Sequence, residues 1–238
     1  MQQIPLAFPT PDAATFDSFL VSDANRLALQ SLRALSGPGS EYTLSYLHGP
    51  RGSGCSHLLQ AVCHRFNERG ERAHYLPLLS LADHPADDVL GRLQGHSVIC
   101  IDDLDCVAGR RDWEVQIFNL LNRALLQSGT VAVAGTRPPD TAGFQLPDLV
   151  SRLQQGLVLA LREPDDEDKA SLFVWRARQR GMRVSHRVAR FVLTHSGRDL
   201  AALMRLLDEV DVQSLHQQRR ITVPFVRELL HRQQESDA

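Results

Sequence analysis

The chain has 238 residues, enough to bury a substantial core as one large domain or as two small ones. Apolar residues make up 43% and charged residues 23%, which is ordinary globular composition, and the net charge of −2 provides no global positive field for nucleic acid. The four cysteines lack C-x-x-C spacing, and no apolar run approaches about 18 residues. We therefore expect a soluble, cytoplasmic protein with reduced thiols, no zinc site and no membrane partner.

The elements expected along the first half of the chain alternate between helix and strand. Prolines 5, 9 and 11 predict an extended tail over residues 1–12. Further elements follow in chain order: a helix over 22–36, a strand over 42–48, a helix over 56–69, a strand over 73–78, a helix near 86–94, a strand over 97–101, a helix over 112–127 and a strand over 130–134. Apolar strands that alternate with helices predict a parallel sheet covered on both faces.

From about residue 164 the pattern changes to helices only. They are expected near 165–180, 185–195, 198–215 and 222–234. The sequence therefore predicts three parts: the tail, an α/β nucleotide-binding domain over 13–162 and a small helical domain over 163–238. Ligands of such sheets bind beyond the carboxyl ends of the strands, so candidate binding residues are sought there.

A glycine-rich segment lies at such a strand end. Residues 49–56 read GPRGSGCS, which is the G-x-x-x-x-G-K-[ST] phosphate loop with Cys55 in place of lysine. The three glycines and Ser56 remain, so the backbone amides could hold phosphate at a helix N-terminus. The missing lysine is the charge that reaches the β- and γ-phosphates. The segment predicts nucleotide binding without efficient hydrolysis, with a plain glycine turn as the alternative.

Two adjacent carboxylates close the strand that ends near residue 101. In phosphate-loop sites, the serine hydroxyl of the loop and an aspartate at a strand end share a Mg²⁺ ion, which assigns Ser56 and Asp102 as candidate ligands. Asp103 stands where an acidic residue would orient attacking water. A solvated strand end without such a role is the alternative for this pair.

Five segments in order resemble DnaA-type AAA+ proteins, and together they cover almost the whole chain. They are GPRGSGCSHLL, residues 15–34, VAVAGTRPP (131–139), residues 148–173 and SGRDLAALMRLLDEVD (196–211). The resemblance implies an AAA+ module with a central parallel sheet, followed by a helical lid. The residues that it implies around a nucleotide are Phe19 and Leu20 beside the adenine; Gly49, Arg51, Gly52, Ser53, Gly54, Cys55, Ser56 and His57 in the loop; and Asp102, Asp103, Thr136 (sensor 1) and Arg198 (sensor 2). Within this set, we interpret His57 as structural.

Two departures from DnaA resemble the family's regulatory inactivators: the lysine is missing, and about 40 residues after sensor 2 leave no room for a helix-turn-helix domain. The resemblance then implies a protein that stimulates hydrolysis of DnaA-bound ATP and prevents re-initiation of replication. Arg152, in the run DLVSR, matches the arginine finger that such a protein supplies in trans. The nucleotide site of this chain would hold ADP or another nucleoside diphosphate, with Mg²⁺ as a further candidate. The chain itself would show little or no ATPase activity.

The tail contains a second recognition pattern. Gln3, Leu6 and Phe8 fit the Q-x-x-L-x-Φ peptide that binds the DNA polymerase III β sliding clamp, so DNA would be contacted only indirectly. An extended segment suits such docking, because Leu6 and Phe8 can enter an apolar pocket while Gln3 forms hydrogen bonds. The alternative is that the two apolar residues cover the chain's own core.

Other functions stay open on the sequence. An autonomous AAA+ ATPase, such as a loader, is one, and retained Asp103 is its best support. A nucleotide-locked scaffold without a catalytic arginine is another. Arg152 could instead form a surface ion pair and Arg198 an interhelical salt bridge, and self-association of the chain is undetermined.

Overall fold

The computed structural model describes residues 14–22, 25–35, 44–91, 93, 98–196, 200–217 and 219–236. The chain divides into two compact units, Met1–Arg162 and Glu163–Ala238. The predicted tail over 1–12, with Gln3, Leu6 and Phe8, lies outside the described residues, and so does Arg198.

The first unit is built on a five-stranded parallel sheet in the order β2-β3-β4-β1-β5. The strands are β1 Leu44–His48, β2 Ala73–Pro77, β3 Val98–Asp102, β4 Thr130–Gly135 and β5 Leu157–Ala160. The sequence predicts the first four. It misses β5 because this edge strand has four residues and only Leu159 is fully buried, which leaves too little apolar signal to distinguish a strand from a loop.

Helices cover both faces of this sheet. They are α1 Arg26–Leu35, α2 Cys55–Glu68, α3 Leu78–Leu81, α4 Ala86–Leu90, α5 Arg111–Leu126 and α6 Pro147–Gln155, with a 3-10 helix at Leu104–Val107. One core joins α1 and α2 to the sheet, and the other joins α4, α5 and α6 to it around the fully buried Trp113. Alternate residues of β1 serve the two cores, with Tyr46 in one and Leu47 in the other. The helix expected near 86–94 ends at Leu90.

The described residues of the second unit form four helices, α7 Asp166–Gln179, α8 His186–His195, α9 Leu200–Gln217 and α10 Val223–Ser236, close to the ranges that the sequence predicts. Its core includes the buried rings of Phe173 and Phe225. Asp165 and Ser185 cap α7 and α8, because their side chains accept hydrogen bonds from backbone N–H groups of the first turns. Among the described residues of both units, every helix is too short or too polar to cross a membrane.

Candidate nucleotide-binding site

The glycine-rich segment forms a turn between β1 and α2. Gly52 and Gly54 have φ angles of +86° and +98°, a backbone region that favours glycine, and Gly54 is the N-cap of α2. Gly54 has no side chain to cap the helix, so the first amides of α2 have no side-chain acceptor from the cap. Ser53 is 3% exposed. The loop therefore has the shape and the N–H groups that a phosphate requires.

Cys55, the first residue of α2, occupies the lysine position of the loop. Its Sγ lies 3.4 Å from the Oγ of Ser53. Burial raises the pKa of the Cys55 thiol to about 11, and the negative charges of Asp102 and Asp103 add to that shift. The side chain is therefore a neutral thiol at neutral pH, and it brings no positive charge to a bound phosphate.

Asp102 is the last residue of β3 and is 3% exposed. Its Oδ2 accepts a hydrogen bond of 2.5 Å from the Tyr75 hydroxyl, and its Oδ1 accepts one of 3.0 Å from the Asp103 N–H. Asp103 is half-buried and has a left-handed φ of 54°. Burial raises the pKa of the Asp103 carboxyl, as do the charges of Asp102 and Asp105, whereas Arg51 of the loop lowers it. The carboxylates and the loop therefore interact electrostatically.

Thr136, at the sensor-1 position, directly follows β4. Its hydroxyl and its backbone N–H both donate to Oδ2 of Asp105, the N–H at 3.1 Å. The neighbouring Gly135 carbonyl accepts from the N–H of Gly49, so β4 and the loop are also joined. Asp105 is missing from the residues that the sequence singles out. The available signal was its place in the run IDDLD, three residues beyond the strand end at Asp102.

His57 joins the segment before α1 to the loop helix. Its Nε2 lies 2.9 Å from the carbonyl oxygen of Thr15 and 3.2 Å from the hydroxyl of Ser18. Because both contacts are within the chain, they give this ring a part in holding residues 15–18 against α2.

Phe19 lies directly against the loop. A Cβ placed on Gly54 would come 2.5 Å from Cε2 of its ring, and the ring is tilted 52° to that of His57 at 5.6 Å between centroids. Leu20 follows it and is half-buried. Of the two residues implied at the adenine, the structure thus places Phe19 against the glycine-rich loop.

Ser56 and Asp102 are the candidate side chains for Mg²⁺. In the described part of the chain, no group of three or more histidine, cysteine, aspartate or glutamate side chains is arranged to hold a metal ion. Ser56 is exposed at the start of α2, and Asp102 keeps lone pairs beyond its two hydrogen bonds. These hard oxygen ligands fit Mg²⁺ when phosphate oxygens and water complete the shell.

Arg152 lies on α6, between β4 and β5, and therefore precedes the last strand of the sheet. Its Nη1 donates a hydrogen bond of 2.9 Å to Oε1 of Gln155, one turn further along the same helix. Asp148 stands in the first turn of α6, where a negative charge is favourable, and Arg152 stands in the last turn, where a positive one is.

Substitution of a loop glycine tests directly whether the glycine-rich loop binds phosphate. We expect Gly54→Ala to destabilise the protein by about 1–3 kcal/mol and to weaken nucleotide binding, because φ would stay positive and the new Cβ would meet the Phe19 ring. Gly70→Ala is the matched control, since Gly70 has φ +74° with open space around it and lies beyond the far end of α2. Calorimetric titration with ADP and thermal unfolding should show both losses for Gly54→Ala and a loss of stability alone for Gly70→Ala. If Gly54→Ala and Gly70→Ala bind ADP with equal affinity, the assignment of the glycine-rich loop as the phosphate-binding site is contradicted.

Comparisons with known proteins identify the family and the fold of this chain. Residues 11–160 match the family model of the bacterial DnaA ATPase domain, and residues 166–230 match that of the Hda lid domain. Domain III of the Thermotoga maritima replication initiation protein DnaA superposes with a TM-score of 0.78 at 22% identity, over 94% of this chain and 97% of that one. DnaA from Aquifex aeolicus, bound to AMPPCP, gives 0.70 at 19% identity, over 85% and 66%. The Thermotoga maritima RuvB motor gives 0.68 at 17% identity, over 92% and 71%. These likenesses confirm the predicted AAA+ fold with a helical lid.

Proposed function

This chain belongs to the bacterial DnaA ATPase family, and on that premise we propose that it inactivates DnaA by stimulating hydrolysis of DnaA-bound ATP. Hda is the regulatory inactivator that the two departures from DnaA resemble, so the match of residues 166–230 to the Hda lid domain supports a regulator over an initiator. Hydrolysis would leave the ADP form of DnaA and prevent re-initiation of replication.

The chain's own cleft would hold a nucleoside diphosphate, ADP in the first instance. Support comes from the left-handed glycines and the uncapped amides at the start of α2, which suit phosphate binding. The neutral thiol of Cys55 supplies no charge for a γ-phosphate, so ATPase activity of the chain by itself would be slight. Ser56 and Asp102 would hold Mg²⁺ beside the phosphates.

The proposed stimulation of hydrolysis depends on Arg152 as the arginine finger. In the described structure its guanidinium donates a hydrogen bond to exposed Gln155 of the same helix. A guanidinium is permanently charged and forked, and it suits the equatorial oxygens of a transferring phosphoryl group. DnaA would supply the lysine, the metal and the water, and this chain would supply the additional positive charge.

Docking of this chain on the DNA-loaded β sliding clamp would bring it together with DnaA. The tail lies outside the described residues. The support for clamp docking is therefore the sequence pattern Q-x-x-L-x-Φ, formed by Gln3, Leu6 and Phe8. The net charge of −2 favours contact with DNA through the clamp over direct binding.

The test is turnover of ATP bound to DnaA, measured with this chain in the presence and absence of DNA-loaded clamp. Leu6→Ala should weaken clamp binding by more than about 1 kcal/mol, roughly fivefold, because it removes an apolar anchor, and should reduce turnover at limiting protein. Ile4→Ala is the matched control, since it truncates an apolar residue at a variable position of the pattern.

If clamp binding and turnover respond equally to Leu6→Ala and Ile4→Ala, the tail does not dock in the proposed way. If the wild-type chain leaves turnover of DnaA-bound ATP unchanged at every clamp concentration tested, the proposed regulatory function is wrong. Nucleotide binding by both variants should equal that of the wild type, because the phosphate loop is unaltered.

A further inference from the structure

Glu114 is a completely buried acid in the first turn of α5, with 0% of its surface exposed. Its Oε1 accepts hydrogen bonds from the N–H groups of Gly109 at 2.7 Å and Gln145 at 3.0 Å. Its Oε2 accepts from those of Gln145 at 3.0 Å and Leu146 at 2.7 Å. Both oxygens are therefore occupied by backbone donors from two distant parts of the chain.

One of these parts leads from the candidate nucleotide site. Gly109 follows the 3-10 helix Leu104–Val107, which carries Asp105, the partner of Thr136. Gly109 has a φ of +81°, and a Cβ placed on it would lie 3.6 Å from Nε2 of Gln145. The two segments that Glu114 joins thus also approach each other directly.

The other part leads into the helix of Arg152. Leu146 is the N-cap of α6 and makes no side-chain cap hydrogen bond, so the Glu114 carboxylate fixes the backbone immediately before the first turn. Leu149 and Leu153 then bury one face of α6 in the core that contains Trp113. Burial of those two leucines sets which face of α6 turns inward, Pro147 occupies its first turn, and the Glu114 carboxylate holds the backbone at its N-cap.

We propose that Glu114 is a positioning residue for Arg152, a role that rests on the proposed arginine finger. By fixing the start of α6 it determines how far the guanidinium, near the other end of that helix, reaches toward a neighbouring molecule's triphosphate. A misplacement of about 1 Å can cost roughly a hundredfold in rate, so a small shift of α6 has a large effect on hydrolysis.

The role requires a carboxylate. Glutamate offers two acceptor oxygens to the three N–H groups, whereas glutamine replaces one of these oxygens with an NH₂ group. In Glu114→Gln, that NH₂ would face either Gly109 N–H or Leu146 N–H, so one segment would lose its acceptor and move away.

The experiment measures DnaA-bound ATP turnover against the concentration of this chain, with clamp in excess. Glu114→Gln should lower the maximal rate about tenfold and leave the half-saturating concentration unchanged, because the docking surface is intact while the arginine is displaced. Asp112→Asn is the matched control. It neutralises an exposed acid two residues away on the same helix and should leave both quantities at their wild-type values.

Two further measurements make the outcome decisive. If Arg152→Ala leaves turnover unchanged, the assignment of Arg152 as the arginine finger fails, and the positioning role fails with it. If Arg152→Ala abolishes turnover and folded Glu114→Gln does not lower its maximum, only the positioning role fails. Hydrogen exchange of the wild-type chain decides the matter if Glu114→Gln does not fold. The amides of Gly109, Gln145 and Leu146 should exchange slowly compared with that of exposed Gly143, and equal rates would overturn the inference.

Discussion

Arg152→Ala is expected to lower the stimulated hydrolysis of DnaA-bound ATP by about 10³-fold or more, to the rate of DnaA by itself. The physical reason is the loss of a permanent positive charge at the point where negative charge develops on the transferring phosphoryl group. Stability should change little, because the described contact of the guanidinium is one hydrogen bond to Gln155 on the same helix. Single-turnover measurement with clamp in excess gives the rate directly.

Arg65→Ala is the matched control for that experiment, since Arg65 is an exposed arginine on α2, in the same unit. Arg152→Lys separates charge from geometry: lysine keeps the positive charge but loses the planar fork, so turnover should stay well below that of the wild type. Clamp binding by all three variants should be unchanged. Wild-type turnover with Arg152→Ala would favour a scaffold without a catalytic arginine, or a different arginine.

Cys55→Lys is expected to strengthen ATP binding relative to ADP binding by about 2–3 kcal/mol, roughly 30- to 150-fold. Lysine would restore a charge that reaches the β- and γ-phosphates, whereas the wild-type thiol is neutral because burial raises its pKa to about 11. Asp102 and Asp103 lie close enough to raise that pKa further, so their negative charges would also favour a cation at this position. Titration calorimetry with both nucleotides provides the affinity ratio.

Cys55→Ser is the matched control for this substitution, because it keeps a small neutral side chain beside Ser53 and should preserve the wild-type affinity ratio. A ratio unaffected by lysine would mean that the loop does not hold a β- or γ-phosphate. Phosphate release from ATP by the unaltered chain, without any partner, would instead favour the autonomous ATPase, for which Asp103 is the best-placed residue.

Much of this fold follows from local patterns. Periodic apolar residues predict four of the five strands and the helices of the second unit, because burial of one helix face or of a whole strand leaves a periodic trace in the sequence. β5 leaves a weak trace, since it is short and at the sheet edge. The glycine loop is predictable for a similar reason: its positive φ angles require glycine at particular positions.

Residues that are neighbours in the chain are enough to predict the glycine-rich loop and to show that it has no lysine, and five segments in order are enough to imply the AAA+ fold. Only the folded chain shows that Asp105 accepts hydrogen bonds from Thr136, that Phe19 packs on the loop, and that Glu114 joins Gly109 to the start of α6. These contacts link residues that chain folding brings together from distant positions. A buried acid in an apolar helix face has no local pattern that reveals which backbone N–H groups it will meet.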